Sequence, residues 1–217
     1  MKIFSVRSVP ITNWSSENPL NFSPKPLTIA FLCIGLVLFG LGESLIITSG
    51  AGMSPWTVLA EGLSLTTESS IGVLTFFISL GVLILWIPLR QHAGLGTILN
   101  VFIIAAVIEW SLPYLPHPEI YFVGIIQAII GTLIVGLGSG IYLIANLGPG
   151  PRDGLMTGCQ KVTGFPIAWV RAILEIFVIS IGWILGGTIG IATVIFALGV
   201  GPAVSVGLYA ISSISKK

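Results

Sequence analysis

Charge is what this chain has least of. Asp, Glu, Lys and Arg make up 8% of its 217 residues, against roughly a quarter in soluble globular domains. Apolar residues make up 54%, and the mean hydropathy is +1.04. A soluble globular fold is thereby excluded, and with a formal net charge of +1 no nucleic-acid partner is expected. Cysteine is equally scarce: Cys33 and Cys159 have no CxxC spacing and read as small buried residues. His92 and His117 lack ligand spacing, so neither metal nor cofactor is expected. HExxH, GxSxG and GxxxxGK[ST] signatures are missing too, and the chain is not read as an enzyme.

Long apolar runs are what the chain does have. A hydrocarbon core about 30 Å thick takes about 20 helical residues at 1.5 Å each. Six runs meet that need: Leu27 to Thr48, Ile71 to Leu89, Leu95 to Leu112, Tyr121 to Ala145, Ile167 to Leu185 and Ile189 to Ile211. Residues 1–26 carry Pro10, Pro19, Pro24 and Pro26 among Ser and Asn, without the apolar core and cleavage site of a signal peptide, and read as a disordered cytoplasmic tail. Residues 212–217 read as the cytoplasmic C-terminus. With six spans every Lys and Arg falls on one side: Lys2, Arg7, Lys25, Arg90, Arg152, Lys161, Arg171, Lys216 and Lys217. The positive-inside rule then puts both termini in the cytoplasm.

Shifting the sequence by 96 positions aligns its two halves without a gap. Gly35/Gly131, Gly42/Gly138, Gly52/Gly148, Pro55/Pro151, Gly62/Gly158, Gly94/Gly190 and Thr97/Thr193 are among the identical pairs. Residues 27–112 and 121–211 therefore read as two three-span repeats. Three spans is an odd number, so the second repeat enters the membrane inverted, a plan frequent among secondary transporters. The expected architecture is all-α and integral to the membrane, with a lipid bilayer as its surroundings.

Each repeat also carries a short segment that is too polar to span. "SGAGMSPWTVLAEG" and "ANLGPGPRDGLMTG" place Pro55 after Ser54 and Pro151 after Gly150, the pattern of a helix start. Both predict a helix of about three turns. Such helices either lie in the interface or dip into the bilayer and return. In the second case their N-terminal N–H groups point at a shared volume that suits an anion. The candidate residues of these segments are Ser54, Pro55, Thr57, Gly148, Gly150, Pro151, Arg152 and Asp153.

Those motifs, with "VRAILEI", "WILGGTIGIATV", "GAGMSPWTVLAEGLS" and "GLGTILNV", make residues 28 to 210 resemble the YczE-type bacterial integral membrane proteins and, more loosely, the YitT group. The resemblance implies a multi-pass protein of the bacterial inner membrane and brings no reaction with it. Thr57 stands where the second half has Asp153, so a pair of symmetric carboxylates is not implied.

Ionisable groups inside a span cost roughly 2.5–3.5 kcal/mol each on insertion scales. Arg171 and Glu175, four apart, share one helix face and can pair. Glu43, Asn100 and Glu109 complete a candidate polar cavity, although Glu43 and Glu109 lie close enough to the outer boundary to reach water instead. The expected function is a transporter or channel for a small polar or anionic solute. The competing class is a scaffold or regulatory protein that binds another membrane protein or a second copy of itself.

Overall fold

The computed structural model describes residues 9–214, and these form helices and connecting turns without a strand. In chain order they are α1 (Pro26–Thr48), α2 (Pro55–Thr67), α3 (Ile71–Trp86), α4 (Leu95–Ser111), α5 (Tyr121–Ala145), α6 (Pro151–Thr163), α7 (Ile167–Ile184) and α8 (Ile191–Ile214), with a 3-10 turn at Leu112–Tyr114. Proline at the first helical position starts α1, α2 and α6, where its missing N–H would have no intrahelical partner anyway.

α1, α5, α7, α8, and α4 with its 3-10 turn, are long and apolar enough to cross a bilayer. α3 is not. It was expected to run to Leu89 but stops at Trp86, because Pro88 has no N–H to continue the ladder. α2 and α3, bent by 115° at a short break, bring the number of crossings to six if the pair counts as one.

At the centre α1 and α5 run antiparallel with glycine against glycine. A Cβ on Gly35 would lie 2.8 Å from the Gly138 carbonyl oxygen, and one on Gly42 would lie 2.6 Å from that of Gly131. Such small-residue faces let backbones approach in lipid, where dispersion replaces the hydrophobic effect as the driving force.

Many contacts recur at the 96-residue shift. The Gly96 N–H donates to the Leu147 carbonyl at 2.6 Å, and the Ala192 N–H to that of Ala51 at 2.9 Å. Thr97 Oγ1 accepts from the Gly94 N–H and Thr193 Oγ1 from the Gly190 N–H. α2 packs on α7 as α6 packs on α3, and α1 on α4 as α5 on α8. The correspondence fails at one helix seam. α3 and α4 form a seam, with Phe76 and Phe102 rings 5.2 Å apart and Gly72 closing on Ala105, while α7 and α8 form none comparable.

Residues 9–25, expected to be disordered, pack against the bundle; residues 1–8 of that expected tail lie outside the described residues, as do 215–217. Trp14 is 3% exposed and stacks on Phe31. Its carbonyl accepts from Thr28 Oγ1, and the Ser16 N–H caps the Ala145 carbonyl at the end of α5. A free helix-end carbonyl and a large apolar ring outweigh the loop composition that suggested disorder.

Candidate functional site

The starts of α2 and α6 converge between the two halves of the chain. Ser54 and Gly150 hold extended backbone angles ahead of the two prolines. Ser54 was read as the N-cap of α2, yet its side chain makes no cap bond. It donates instead to Glu43 Oε2 at 2.8 Å, and Thr57 Oγ1 donates to the same oxygen at 3.0 Å. Glu43, 1% exposed, thus sets its carboxylate before the first turn of α2, where the helix dipole favours negative charge.

Arg152 reaches this carboxylate from α6. Its Nη1 lies 4.0 Å from Glu43 Oε1, and its guanidinium carbon sits 5.3 Å from the centroid of the Trp56 ring. Trp56 and Arg152 both directly follow a helix-starting proline and are 152 − 56 = 96 positions apart. The cation stands at the positive end of its own helix. A ring face and one carboxylate at hydrogen-bond-exceeding distance are what hold it there.

Next to Arg152, Asp153 accepts a short hydrogen bond from the Tyr142 hydroxyl of α5. Gly150 has no side chain with which to cap α6. Trp86 Nε1 donates to the Pro151 carbonyl at 2.9 Å and fixes the entrance to the helix from α3. On α7, Arg171 Nε donates to Glu175 Oε1 at 2.8 Å, with the two side chains 34% and 11% exposed.

These groups border a cavity of about 230 Å³. Of the candidate residues, Asn100, Gly150, Pro151, Arg152, Asp153, Arg171 and Glu175 are in its wall. Glu43, Ser54 and Thr57 form a buried layer behind Arg152, and Pro55 is buried at the start of α2. Gly148 belongs to the connection: its φ of 104° needs glycine, and it closes on Gly94. Glu109 does not join the site. It is exposed on α4 beside Gly72, so of the two boundary carboxylates only Glu43 turns inward.

Trp56, Thr75, Ser79, Ser139 and Tyr142 also line the cavity. Thr75 and Ser79 are the repeat mates of Arg171 and Glu175, Trp56 of Arg152 and Ser139 of Glu43, so the 96-residue shift pointed to four of the five. Tyr142 carries no such signal beyond a hydroxyl in an apolar helix. Among the described residues, the buried side-chain atoms without a hydrogen-bond partner are Glu43 Oε1, Trp56 Nε1 and Thr75 Oγ1. Two of the three residues are in the cavity wall, and the third faces Arg152.

The model of a family of unknown function, DUF6198, matches residues 27–208. The chain is 40% identical over 199 residues to an uncharacterised Haemophilus influenzae protein, covering 92% of this chain and 90% of that one. It is 34% identical over 172 residues to the uncharacterised membrane protein YczE of Bacillus subtilis, covering 77% and 79%. YyaS of Bacillus subtilis, also uncharacterised, is 29% identical over 167 residues, covering 75% and 83%. No solved structure matches. With a membrane protein among such relatives and several helices apolar enough to span, the chain is a multi-pass membrane protein.

Proposed function

The chain belongs to the DUF6198 family, and from that premise we propose that it is a transporter or channel of the bacterial inner membrane for a small polar or anionic solute. The observation that carries this reading is the meeting of Trp56 and Arg152 at the starts of two short helices, beside a cavity that both residues line.

The glycine contacts support an inverted repeat. The glycine pairs of α1 and α5 exchange under the 96-residue shift, since Gly35 with Gly138 becomes Gly131 with Gly42. A two-fold axis that interchanges antiparallel helices is perpendicular to both, and for membrane helices that direction lies in the bilayer plane. α2 and α6 are then half-helices entering from opposite faces, with both termini of the chain in the cytoplasm.

Recognition of a negative group follows from the donors assembled. Arg152 and the uncapped first turn of α6 favour an acceptor-rich solute. The Arg171–Glu175 pair serves as gate or relay at the edge of the same volume, and no catalysis is assigned.

A stability screen of the detergent-purified protein against polar and anionic metabolites tests this. At least one is expected to raise the unfolding midpoint in the parent and not in Arg152→Gln. A panel without a single Arg152-dependent response, together with co-purification of one stoichiometric membrane protein, would contradict transport and favour a scaffold.

A further inference from the structure

We propose that the cavity is loaded sideways from the bilayer, through the space between α7 and α8, and that its ligand is an amphiphile with an anionic head and an apolar chain. The proposal rests on the anion-binding reading above and adds a route and a ligand class to it.

The route comes from a place where the two halves differ. In the first half, α3 lies along α4: Phe76 meets Phe102, and Gly72 packs on the Ala105 backbone. The corresponding helices α7 and α8 form no such seam. Gly201 is the repeat mate of Ala105. Ala105 is 6% exposed, whereas a Cβ on Gly201 would find nothing within 4 Å. Yet Gly201 borders the cavity, as do Arg171 and Glu175 from the α7 side. The gap between these two membrane-crossing helices is therefore a side opening of the cavity, and what lies beyond it is lipid.

The ligand class comes from the two kinds of wall. Toward α6 stands Arg152, with its distant carboxylate. Its guanidinium is a donor for a carboxylate or phosphate head. Toward α8 the wall is Phe196, Val200 and Val204, which offers a chain only dispersion contacts. A soluble anion uses the first wall alone, while an amphiphile uses both and leaves its tail in the gap. α8 is also weakened beside the opening by Gly199, Gly201 and Pro202, where proline removes a helix hydrogen bond and lets the two parts of α8 move apart.

The test compares inorganic phosphate with butyl, octyl and decyl phosphate on the full chain in phosphatidylcholine nanodiscs, read as ligand-dependent unfolding midpoints. Apparent affinity is expected to rise by at least about tenfold from inorganic to decyl phosphate, given about fourfold per buried methylene as an upper slope. Arg152→Gln is expected to abolish the response to all four. Gly201→Phe, which fills open space at the gap, is expected to remove the chain-length gain while retaining the phosphate response; Val204→Phe is the second variant should Gly201→Phe fold poorly. Equal, Arg152-dependent responses to all four ligands would overturn the sideways route and leave the anion site standing. Decyl phosphate responses indifferent to Arg152→Gln and to the filled gap would mean surface partitioning and overturn the inference. Absence of any response to all four would overturn the inference and count against the anion site itself.

Discussion

Trp56 and Arg152 occupy equivalent places in the two halves of the chain and touch each other, ring face to guanidinium, at 5.3 Å. The starts of the two short helices therefore meet each other.

The first prediction concerns that contact. A cation over a ring contributes about 0.5–2 kcal/mol, the upper end when desolvated. In a double-mutant cycle of Trp56→Leu with Arg152→Gln, unfolding in mild detergent is expected to give a coupling energy in that range. Strict additivity would mean that the two side chains are neighbours without interaction.

Glu43 gives the second. Glu43→Ala leaves the Ser54 and Thr57 hydroxyls only each other as partners and removes the carboxylate facing Arg152, with an expected loss of about 3–5 kcal/mol, as for a broken buried ion pair. Glu43→Gln keeps an acceptor for both hydroxyls and should lose clearly less. Chemical unfolding of both variants ranks them, and equal losses would show that the charge, which both variants remove, outweighs the hydrogen bonds.

Packing between the halves supplies the third. A Cβ on Gly154 would fall 1.9 Å from a Trp86 ring carbon, and Trp86 is itself 2% exposed. Gly154→Ala is expected to destabilise by about 1–3 kcal/mol through overpacking. Adding Trp86→Leu should recover part of that loss despite giving up the indole bond to Pro151. Thermal unfolding of the single and double variants checks it, and a double variant that is worse by the sum of both losses would refute the steric account.

Sidedness is tested by labelling. Glu68, Glu119 and Lys161 are all exposed. Single cysteines at Glu68 and Glu119, in a background without Cys33 and Cys159, are expected to react with an impermeant reagent on intact cells, and one at Lys161 only after permeabilisation. Reaction of the Lys161 position in intact cells would rule out the inverted arrangement.

Much of this organisation was legible in the residues. Proline after Ser54 and after Gly150 marked the starts of α2 and α6, because proline suits the first helical position and little of a helix interior. The 96-residue identities fell on glycines that the structure uses for close approach, so they carried information that Leu and Ile matches would not. What could not be read was three-dimensional. Ser54 has the composition of a cap, but a carboxylate eleven residues earlier competes for its hydroxyl. Glu43 and Glu109 each stand near the end of their helix, and only helix rotation decides that one faces α2 and the other faces outward. Trp14 docks through contacts with α1 and the end of α5, which no local pattern encodes.

The central claim is that a solute passes through the cavity between the two halves, and counterflow in proteoliposomes tests it most directly. The solute that stabilises the parent most is loaded inside and its labelled form added outside. Uptake is expected for the parent, with little or none for Arg152→Gln and for Arg171→Leu with Glu175→Leu, a double variant that removes both charges of a pair and so should stay folded. Uptake by those variants at the parental rate, or none by the parent, would contradict the account.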